Sequence, residues 1–386
     1  MYIEIGDVIG LFLNSKHTSI ADRKKRAQIE NILFQSVLAM EQGHHCVNTQ
    51  SDNCALLICK NTENPKVKRT YHYIYQHYST YLAGFKNRLT NYVRIELDSK
   101  EISRSAIGGN KCVTIVNLDL AEQTSFWQSV AFLPENIRDY RFFTRIAYYK
   151  KDAIYKSIRY SFVREQGQGS RAVDTYECRC SEKRFIFALI DNDISDPNAG
   201  IKKDSTADKF LKSKYKNAPN GFVHILNIHE LENLFSSKSF VAKVNENVAK
   251  KIESYGKVDP NVTIYYDMKE GFSFKKIMQN SYMRQFASGP IQPCVQHLKD
   301  GKCLNKKCGK SILPGLGSDY LEKLFGDDPN FTEDVESIDN KTQQEFSTDF
   351  KNAFDELIPP IKKEWENIYI YFLTYFCSYP LLISAV

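Results

Sequence analysis

The sequence predicts an α/β domain, with a mainly parallel sheet flanked by helices, over about residues 151–285. Its strongest signal is the run R-F-I-F-A-L-I at 184–190, which is apolar from its second residue onward. Such runs are typical of strands that are buried on both faces of a parallel sheet. A strand-like stretch at 153–164 and a short helix candidate at 171–180 precede this run. Strand, crossover helix and strand in succession indicate a parallel sheet.

The two flanking regions are predicted as an α+β N-terminal domain (1–150) and a mostly helical C-terminal region (286–386). In the first, Ala21–Gln42 has the apolar spacing of an amphipathic helix. C-A-L-L-I-C at 54–59 and C-V-T-I-V-N-L at 112–118 are interpreted as short buried strands. The basic and aromatic residues between these two stretches fit either the core face of a helix or a nucleic-acid contact.

Composition points to a reducing compartment and leaves a nucleic-acid partner open. The chain has 386 residues, ten cysteines and a formal charge of +6, and 13% of its residues are aromatic. Ten cysteines in so long a chain do not resemble the framework of a small secreted domain, and the acidic N-terminus does not resemble a signal peptide. We expect a cytoplasmic protein without a membrane segment. The uncharged stretch Ile368–Val386 is interpreted as a buried terminal helix and tail, with a tail anchor as the alternative.

Acidic residues recur where successive predicted strands end. Ligands of parallel sheets bind beyond the carboxyl ends of the strands, so these residues are candidates for a single site. V-H-I-L at 223–226 is predicted as the third strand. A fourth strand is predicted within 262–271 and contributes a lysine. The candidate catalytic residues are Glu165, Asp191, Asp193, Glu230, Glu232 and Lys269.

Such a set of carboxylates is suited to a divalent cation. Clustered carboxylates repel one another unless a cation shares them, and Mg²⁺ or Mn²⁺ prefers oxygen ligands. Such an ion activates water and stabilises the charge of an attacked phosphodiester, and a nearby lysine adds to that stabilisation. An ordinary Asx turn at D-N-D (191–193) is the alternative interpretation.

These motifs resemble the Toprim catalytic domain, in the branch found in overcoming-lysogenization-defect (OLD) nucleases and related bacterial anti-phage effectors. The likeness covers about residues 155–285 and rests on D-N-D at 191–193, H-E-L-E-N-L-F at 229–235 and the glycine loop at 165–170. It implies Mg²⁺ ligation by Asp191 and Asp193, and a charge-stabilising role for Lys269.

The resemblance also implies a first glutamate that completes the metal site, and two positions are open for it. Glu165 is the nearer candidate and is placed with Asp191 and Asp193 as a metal ligand. In the family this glutamate usually lies farther upstream, separated from D-x-D by a further strand and helix. An earlier residue, with Glu96 as one candidate, is therefore the alternative.

A second metal is indicated in the C-terminal region. Three thiols and an imidazole with the spacing C-x2-H-x5-C-x4-C match the ligands of a tetrahedral structural Zn²⁺. The candidate zinc ligands are Cys294, His297, Cys303 and Cys308.

Together these features predict a Mg²⁺- or Mn²⁺-dependent nuclease of bacterial defence that cleaves DNA or structured RNA such as tRNA. The chain contains no G-x-x-x-x-G-K-[ST] motif, so any ATPase or sensor step is expected to belong to a separate subunit. The alternative is a non-catalytic sensor or adaptor that binds nucleic acid or a partner protein.

Overall fold

A computed structural model describes most of the chain up to residue 240, and again from 350 to 378. Elsewhere it describes shorter stretches. The described residues are 1–80, 84–109, 111–136, 139–150, 158–198, 200–240, 264–265, 267–273, 280, 282, 298–299, 302–303, 311–325 and 350–378.

The N-terminal sheet is mainly parallel. Its strands run in the order β2-β1-β3-β5-β4, and only the edge strand β4 is antiparallel to its neighbour. Helices connect β1 to β2 and β2 to β3, as in α/β domains, so the prediction of an α+β N-terminal domain is wrong about this sheet. The elements are β1 (Tyr2–Ile5), α1 (Asp7–Asn14), α2 (Ile20–Glu41), β2 (Cys46–Thr49), α3 (Asp52–Asn61), α4 (Pro65–Gln76), β3 (Asn91–Ile95), β4 (Ser103–Gly108), β5 (Lys111–Val116) and α5 (Leu118–Ala121).

Helix α3 replaces the strand predicted at 54–59. The hydroxyl of Ser51 accepts a hydrogen bond from the backbone N–H of Cys54 and so caps the helix. Cys54, Ala55 and Ile58 lie on its buried face. A short apolar run does not distinguish a strand from a buried helix, and here the cap and this spacing favour the helix. The predicted helix Ala21–Gln42 and the strand at 112–118 are confirmed by α2 and β5.

The second sheet is entirely parallel, in the order β10-β9-β6-β8. It confirms the predicted strands at 184–190 and 223–226 and the helix between 171 and 180. Its strand β6 belongs to the stretch predicted as the N-terminal domain. The elements are β6 (Ala131–Pro134), α6 (Tyr140–Tyr149), β7 (Arg159–Tyr160), β8 (Val163–Arg164), α7 (Ala172–Ser181), β9 (Ile186–Ile190), α8 (Thr206–Lys212) and β10 (Gly221–Ile225).

The register of this sheet aligns the ends of its two central strands. Pro134 of β6 lies beside Leu189 of β9, and Ile190 lies beside Ile225 of β10. All three strands therefore end at the same edge, because parallel strands share one direction. The next residues along β6 and β9 are Glu135 and Asp191.

The fourth strand predicted within 262–271 is wrong for the described residues. Ile264 and Tyr265 lie in a helical turn and a bend, and Asp267 to Glu270 form a turn that the Gly271 N–H closes on the Asp267 carbonyl at 2.8 Å.

The other described elements are β11 (Gly271–Ser273), β12 (Leu298–Lys299), β13 (Lys302–Cys303), β14 (Ser311–Pro314), α9 (Tyr320–Phe325), α10 (Pro359–Phe376) and β15 (Cys377–Ser378). Three antiparallel pairs form among these strands and β7: β11 with β14, β12 with β13, and β15 with β7.

Helix α10 packs on the face of the second sheet and joins its core to that of the N-terminal sheet. Phe372 and Phe376 contact Phe132 of β6 edge-on or tilted, and Tyr375 stacks on Phe187 of β9. These side chains and the N-terminal core form one cluster of buried residues. The predicted terminal helix is thus confirmed up to Phe376, and residues 379–386 lie outside the described part. Within the described residues, no helix combines the length and hydropathy needed to cross a bilayer.

A buried carboxylate fixes α10 to the edge strand β10. Glu364 is 1% exposed and accepts hydrogen bonds from His224 Nε2 (2.5 Å), Asn227 Nδ2 (2.8 Å) and Asn367 Nδ2 (3.2 Å). Burial alone would raise the pKa of Glu364, but these hydrogen bonds hold that pKa below its usual value.

We expect Glu364→Ala to lower the free energy of unfolding by about 3 kcal/mol, because it leaves buried donors without their acceptor. A carboxyl group with a lowered pKa stabilises the fold above its unfolded-state pKa of about 4.3, and this contribution disappears as the pH falls through the folded-state pKa. Urea unfolding of wild type and variant should therefore converge at acidic pH. Glu366→Ala, an exposed change on the same helix, should cost less than about 0.5 kcal/mol. Equal effects of the two substitutions would contradict the anchoring role of Glu364.

Candidate active site

The carboxyl edge of the second sheet brings Glu135 and Asp191 into contact. The backbone N–H of Asp191 donates to Glu135 Oε2 at 3.3 Å, and the hydroxyl of Thr206 donates to Glu135 Oε1 at 2.9 Å. Asp191 Oδ1 accepts the backbone N–H of Leu231 at 3.0 Å. The Glu135 carboxylate is therefore bound directly to the backbone of Asp191 on the adjacent parallel strand.

Lys269 lies between two further acids. Its Nζ is 3.1 Å from Glu230 Oε2 and 3.1 Å from Glu232 Oε1. Both glutamates are 5% exposed, and the other oxygen of Glu230 accepts the backbone N–H of Met268 at 3.0 Å. The two glutamates therefore fix both the position and the direction of the Lys269 ammonium group.

The electrostatics join these groups into one acidic cluster, defined here as Glu135, Asp139, Asp191, Asp193, Glu230 and Glu232. Burial raises the pKa of Asp191 well above its usual value, and the charge of Lys269 lowers it. The pKa is raised further by the negative charges of Glu135, Glu232 and Asp139. Burial and the nearby Asp193 raise the pKa of Glu135, although the bond from Thr206 lowers it. The negative charges in this cluster therefore exceed what one lysine compensates.

Two members of the acidic cluster titrate near neutrality. Burial raises the pKa of Asp139 to about 7, even though one carboxyl oxygen accepts the backbone N–H of Asn136 at 2.9 Å. Burial and the neighbouring Glu230 raise the pKa of Glu232 to about 7. Groups with such pKa values occur at catalytic sites, where protons are exchanged at physiological pH.

The D-N-D stretch is a tight turn that projects its carboxylates. The backbone N–H groups of Asn192 and Asp193 both donate to the His229 carbonyl, at 3.2 and 2.8 Å, and Asn192 Nδ2 donates to the Leu226 carbonyl at 2.9 Å. Asp193 has φ +55°, the left-handed region that Asp tolerates better than most residues. Backbone and amide groups hold this stretch, and Asp191 forms its hydrogen bonds with Glu135 and Leu231 rather than within the stretch itself.

Glu165 is engaged elsewhere. Its two carboxylate oxygens accept Arg179 Nε at 2.8 Å and Nη2 at 3.2 Å in a bidentate pair. The role of Glu165 as a metal ligand stays a prediction, whereas the carboxylate of Glu135 accepts the backbone N–H of Asp191 directly. Glu165 follows a strand of the same sheet, as predicted, but Arg179 from helix α7 takes up its charge.

The glycine loop after Glu165 has a structural function. A Cβ atom on Gly167 would lie 1.8 Å from the carbonyl oxygen of Pro134 and 2.5 Å from that of Glu135. Only glycine allows this loop to pack against the end of β6. The other earlier candidate, Glu96, lies at the end of β3 in the N-terminal sheet, where it pairs with Arg94 at 3.7 Å.

Sequence reasoning missed Glu135 and Asp139. The signal was present, because A-F-L-P at 131–134 is an apolar run that ends in an acid, like the strands that were recognised. The run is only four residues long and contains a proline, which usually argues against a central strand. Asp139 lies four residues after Glu135, directly before helix α6.

His229, Glu230 and Asp267 form a second grouping beside the acidic cluster. Each offers one ligand atom, and these atoms lie within 4.8 Å of one another. His229 Nδ1 is 2.7 Å from the Ile194 carbonyl, an acceptor, so a neutral ring carries its proton there. The outward-facing nitrogen is then Nε2. The grouping by itself does not establish a metal site.

The residues of the acidic cluster fit a hard divalent cation. Glu232 Oε2 is a buried oxygen without a hydrogen-bond partner among the described residues, and so is the side-chain oxygen of Asn192. Carboxylate and amide oxygens are the ligands that Mg²⁺ and Mn²⁺ prefer. A cation here would offset the repulsion that raises the pKa values of Glu135 and Asp191. The structure does not describe the predicted zinc site. Outside the described residues lie Cys294, His297, Cys308 and the side chain of Cys303.

No protein-family model, no curated protein and no solved structure matches this chain.

We expect Mg²⁺ or Mn²⁺ to stabilise the folded protein. At a concentration one hundred times the Kd, a cation that binds only the native state adds about 2.7 kcal/mol to the free energy of unfolding. Differential scanning calorimetry with and without EDTA measures the shift. Glu135→Gln should abolish most of it, because the variant removes a charge from the centre of the acidic cluster.

Glu165→Gln is the matched control, since it makes the same chemical change on the neighbouring strand. It should lower the baseline melting temperature by weakening the pair with Arg179, yet leave the cation-dependent shift intact. If Glu165→Gln removed the shift and Glu135→Gln did not, the assignment of Glu135 would be overturned.

Proposed function

We propose that this chain is a divalent-metal-dependent nuclease whose active site is the acidic cluster at the carboxyl edge of the second sheet. The observation that carries the proposal is the contact between Glu135 and Asp191 on adjacent parallel strands, with both pKa values raised. Ligands of parallel sheets bind at this edge, and unneutralised carboxylates of this kind are suited to Mg²⁺. The ligands proposed for the metal are Glu135, Asp191 and Asp193, with Asp139 and Glu232 beside them.

When bound, such a cation activates water and stabilises the charge of a phosphodiester under attack. The chain's own groups complement it. Lys269 presents a fixed positive charge, because Glu230 and Glu232 hold it on two sides, and it is placed to stabilise negative charge on a phosphate. Asp139, with a pKa of about 7, holds or releases a proton at neutral pH and is suited to general acid or base work.

The resemblance to Toprim domains of OLD-type nucleases becomes more consistent with Glu135 as the first glutamate. Helix α6 and strand β8 lie between Glu135 and Glu165, and they therefore separate Glu135, but not Glu165, from the D-x-D stretch. This is the order of elements that the resemblance implied and that Glu165 did not satisfy. The finer proposals rest on that likeness: action in bacterial anti-phage defence, on DNA or structured RNA such as tRNA, and cooperation with a separate ATPase or sensor subunit.

The second candidate function is a non-catalytic sensor or adaptor that binds nucleic acid or a partner protein. It is favoured by the self-contained pairing of Lys269 with Glu230 and Glu232, and of Asp191 with the Leu231 N–H. A cluster that satisfies its own charges in this way would need no cation.

We expect purified protein to cleave a mixed pool of DNA and structured RNA with Mg²⁺ or Mn²⁺ and to be inactive in EDTA. Asp191→Asn and Glu135→Gln keep the shape of the side chains and remove a ligand charge, so each should lower the cleavage rate at least about 100-fold, comparable with the loss of one electrostatic stabiliser. Gel-based cleavage assays alongside melting temperatures separate lost chemistry from lost folding.

Glu165→Gln is again the control and should retain cleavage wherever it remains folded. Full activity in Asp191→Asn would refute the nuclease proposal. Absence of cleavage in the wild type, under every metal and substrate condition, would favour the adaptor.

A further inference from the structure

We propose that residues 202–216, called the basic segment, form a surface that binds the phosphate backbone of nucleic acid beside the acidic cluster. The segment contains six lysines and two aspartates. The whole chain has a formal charge of +6, so the net excess of four positive charges in these fifteen residues accounts for most of it. Charge this concentrated is the electrostatic footprint of a polyanion partner.

Most of this positive charge is available to a partner. Lys202, Lys203, Lys214 and Lys216 are exposed and make no ion pair within 4.0 Å among the described residues. Lys212 instead pairs with Asp208 at 2.5 Å, which removes one of the two negative charges from competition. A phosphate backbone would therefore meet ammonium groups that form no ion pair with any described residue.

The basic segment is held firmly against the sheet. The hydroxyl of Ser205 caps α8 by accepting the Asp208 N–H at 3.2 Å. At the other end, Ser213 donates to Glu177 Oε1 at 2.7 Å, and the Tyr215 carbonyl accepts the Tyr176 hydroxyl at 3.3 Å. Binding a partner would require little ordering of the backbone, which favours affinity.

Thr206 connects this surface to the proposed chemistry. It lies inside the basic segment and donates to Glu135 Oε1 at 2.9 Å. A strand bound along the lysines would thus pass next to the acidic cluster. Helix α8 also packs against the turn Gly169–Arg171, which adds the exposed Arg171 to the same surface.

Nucleic acid fits this surface better than an acidic protein. Tyr215 is half-buried, and Lys214 Nζ lies 5.1 Å from the centroid of its ring. Leu211 is 47% exposed. Aromatic and apolar side chains among cations suit bases and sugars, which stack on rings while phosphates meet lysines. From Thr206 to Lys212 the helix rises about 9 Å, which matches roughly three phosphates of one duplex strand at about 3.4 Å each.

The test measures binding in a Glu135→Gln background, so that any cleavage is suppressed. The variant combines Lys202→Gln, Lys203→Gln, Lys214→Gln and Lys216→Gln. Fluorescence anisotropy records the Kd for a labelled 20-nucleotide DNA strand, a 20-base-pair duplex and an RNA hairpin over a series of salt concentrations. We expect the Kd to rise at least about tenfold, and the slope of log K against log salt to fall by about 0.7 to 0.9 per lost contact. The three probes show which nucleic acid binds best.

The matched control removes the same charge from helices α2 and α4, with Arg23→Gln, Lys24→Gln, Lys68→Gln and Arg69→Gln, all at exposed positions. It also tests the basic and aromatic stretch for which the sequence left a nucleic-acid contact open. The control should change Kd less than about twofold. Equal losses in both variants, or a loss in the control alone, would overturn the proposal. It would also be overturned if poly-glutamate of equal charge displaced the probe as well as unlabelled nucleic acid does.

The placement of the bound nucleic-acid strand beside the acidic cluster rests on the proposed nuclease function. The experiments nevertheless distinguish a failure of the nuclease proposal from a failure of the binding-surface proposal. If the wild type cleaves nothing while the lysine variant loses binding, the surface stands and the nuclease does not. If the wild type cleaves and the lysine variant binds normally, the nuclease stands and the surface does not.

Discussion

The repulsion among buried carboxylates at one sheet edge is the constraint on which the rest of this structure depends. Glu135 and Asp191 meet because β6 and β9 are adjacent, parallel and in register. Burial and the neighbouring charge of Glu135 raise the pKa of Asp191, which costs folding free energy at neutral pH. The surrounding donors, Thr206 and the Leu231 N–H, reduce that cost without removing it.

The position of the cluster is set by backbone geometry more than by side-chain choice. The His229 carbonyl accepts two N–H groups of the D-N-D turn, while its own N–H donates to the Ile264 carbonyl at 2.7 Å. Three segments that are distant in the chain therefore converge through one residue. Lys269 reaches the cluster from a turn closed by the bond from Gly271 to Asp267. The carboxylates of the acidic cluster and the lysine thus lie on hydrogen-bonded connections rather than on long, unsupported loops.

Local signals were enough to predict the elements whose pattern is complete within a few residues. Strand β9, helix α7 and strand β10 were recognised in this way, and so were Asp191, Glu230, Glu232 and Lys269 as candidates. Glu135 was missed because its partner Asp191 is 56 residues away and its strand is short and ends in proline. Spacing did not reveal the pairing of Glu165 with Arg179, because that pairing is a tertiary contact. The prediction of a strand at 54–59 was wrong because a six-residue apolar run fits the period of a helix as well as that of a strand.

The core explains how the fold tolerates its acidic edge, and it also limits how the chain can be divided. Phe132 of β6 is fully buried among Phe143, Phe372 and Phe376, so the strand that carries Glu135 is held by rings from α6 and α10. Burial of large aromatic side chains contributes about 1.5 to 3 kcal/mol each, enough to offset a few unfavourable pKa shifts. Because β6 is central in the second sheet, a fragment of residues 151–285 would lack both a core strand and the first glutamate. The acidic site is therefore a property of a core assembled from the N-terminal, middle and C-terminal thirds of the chain.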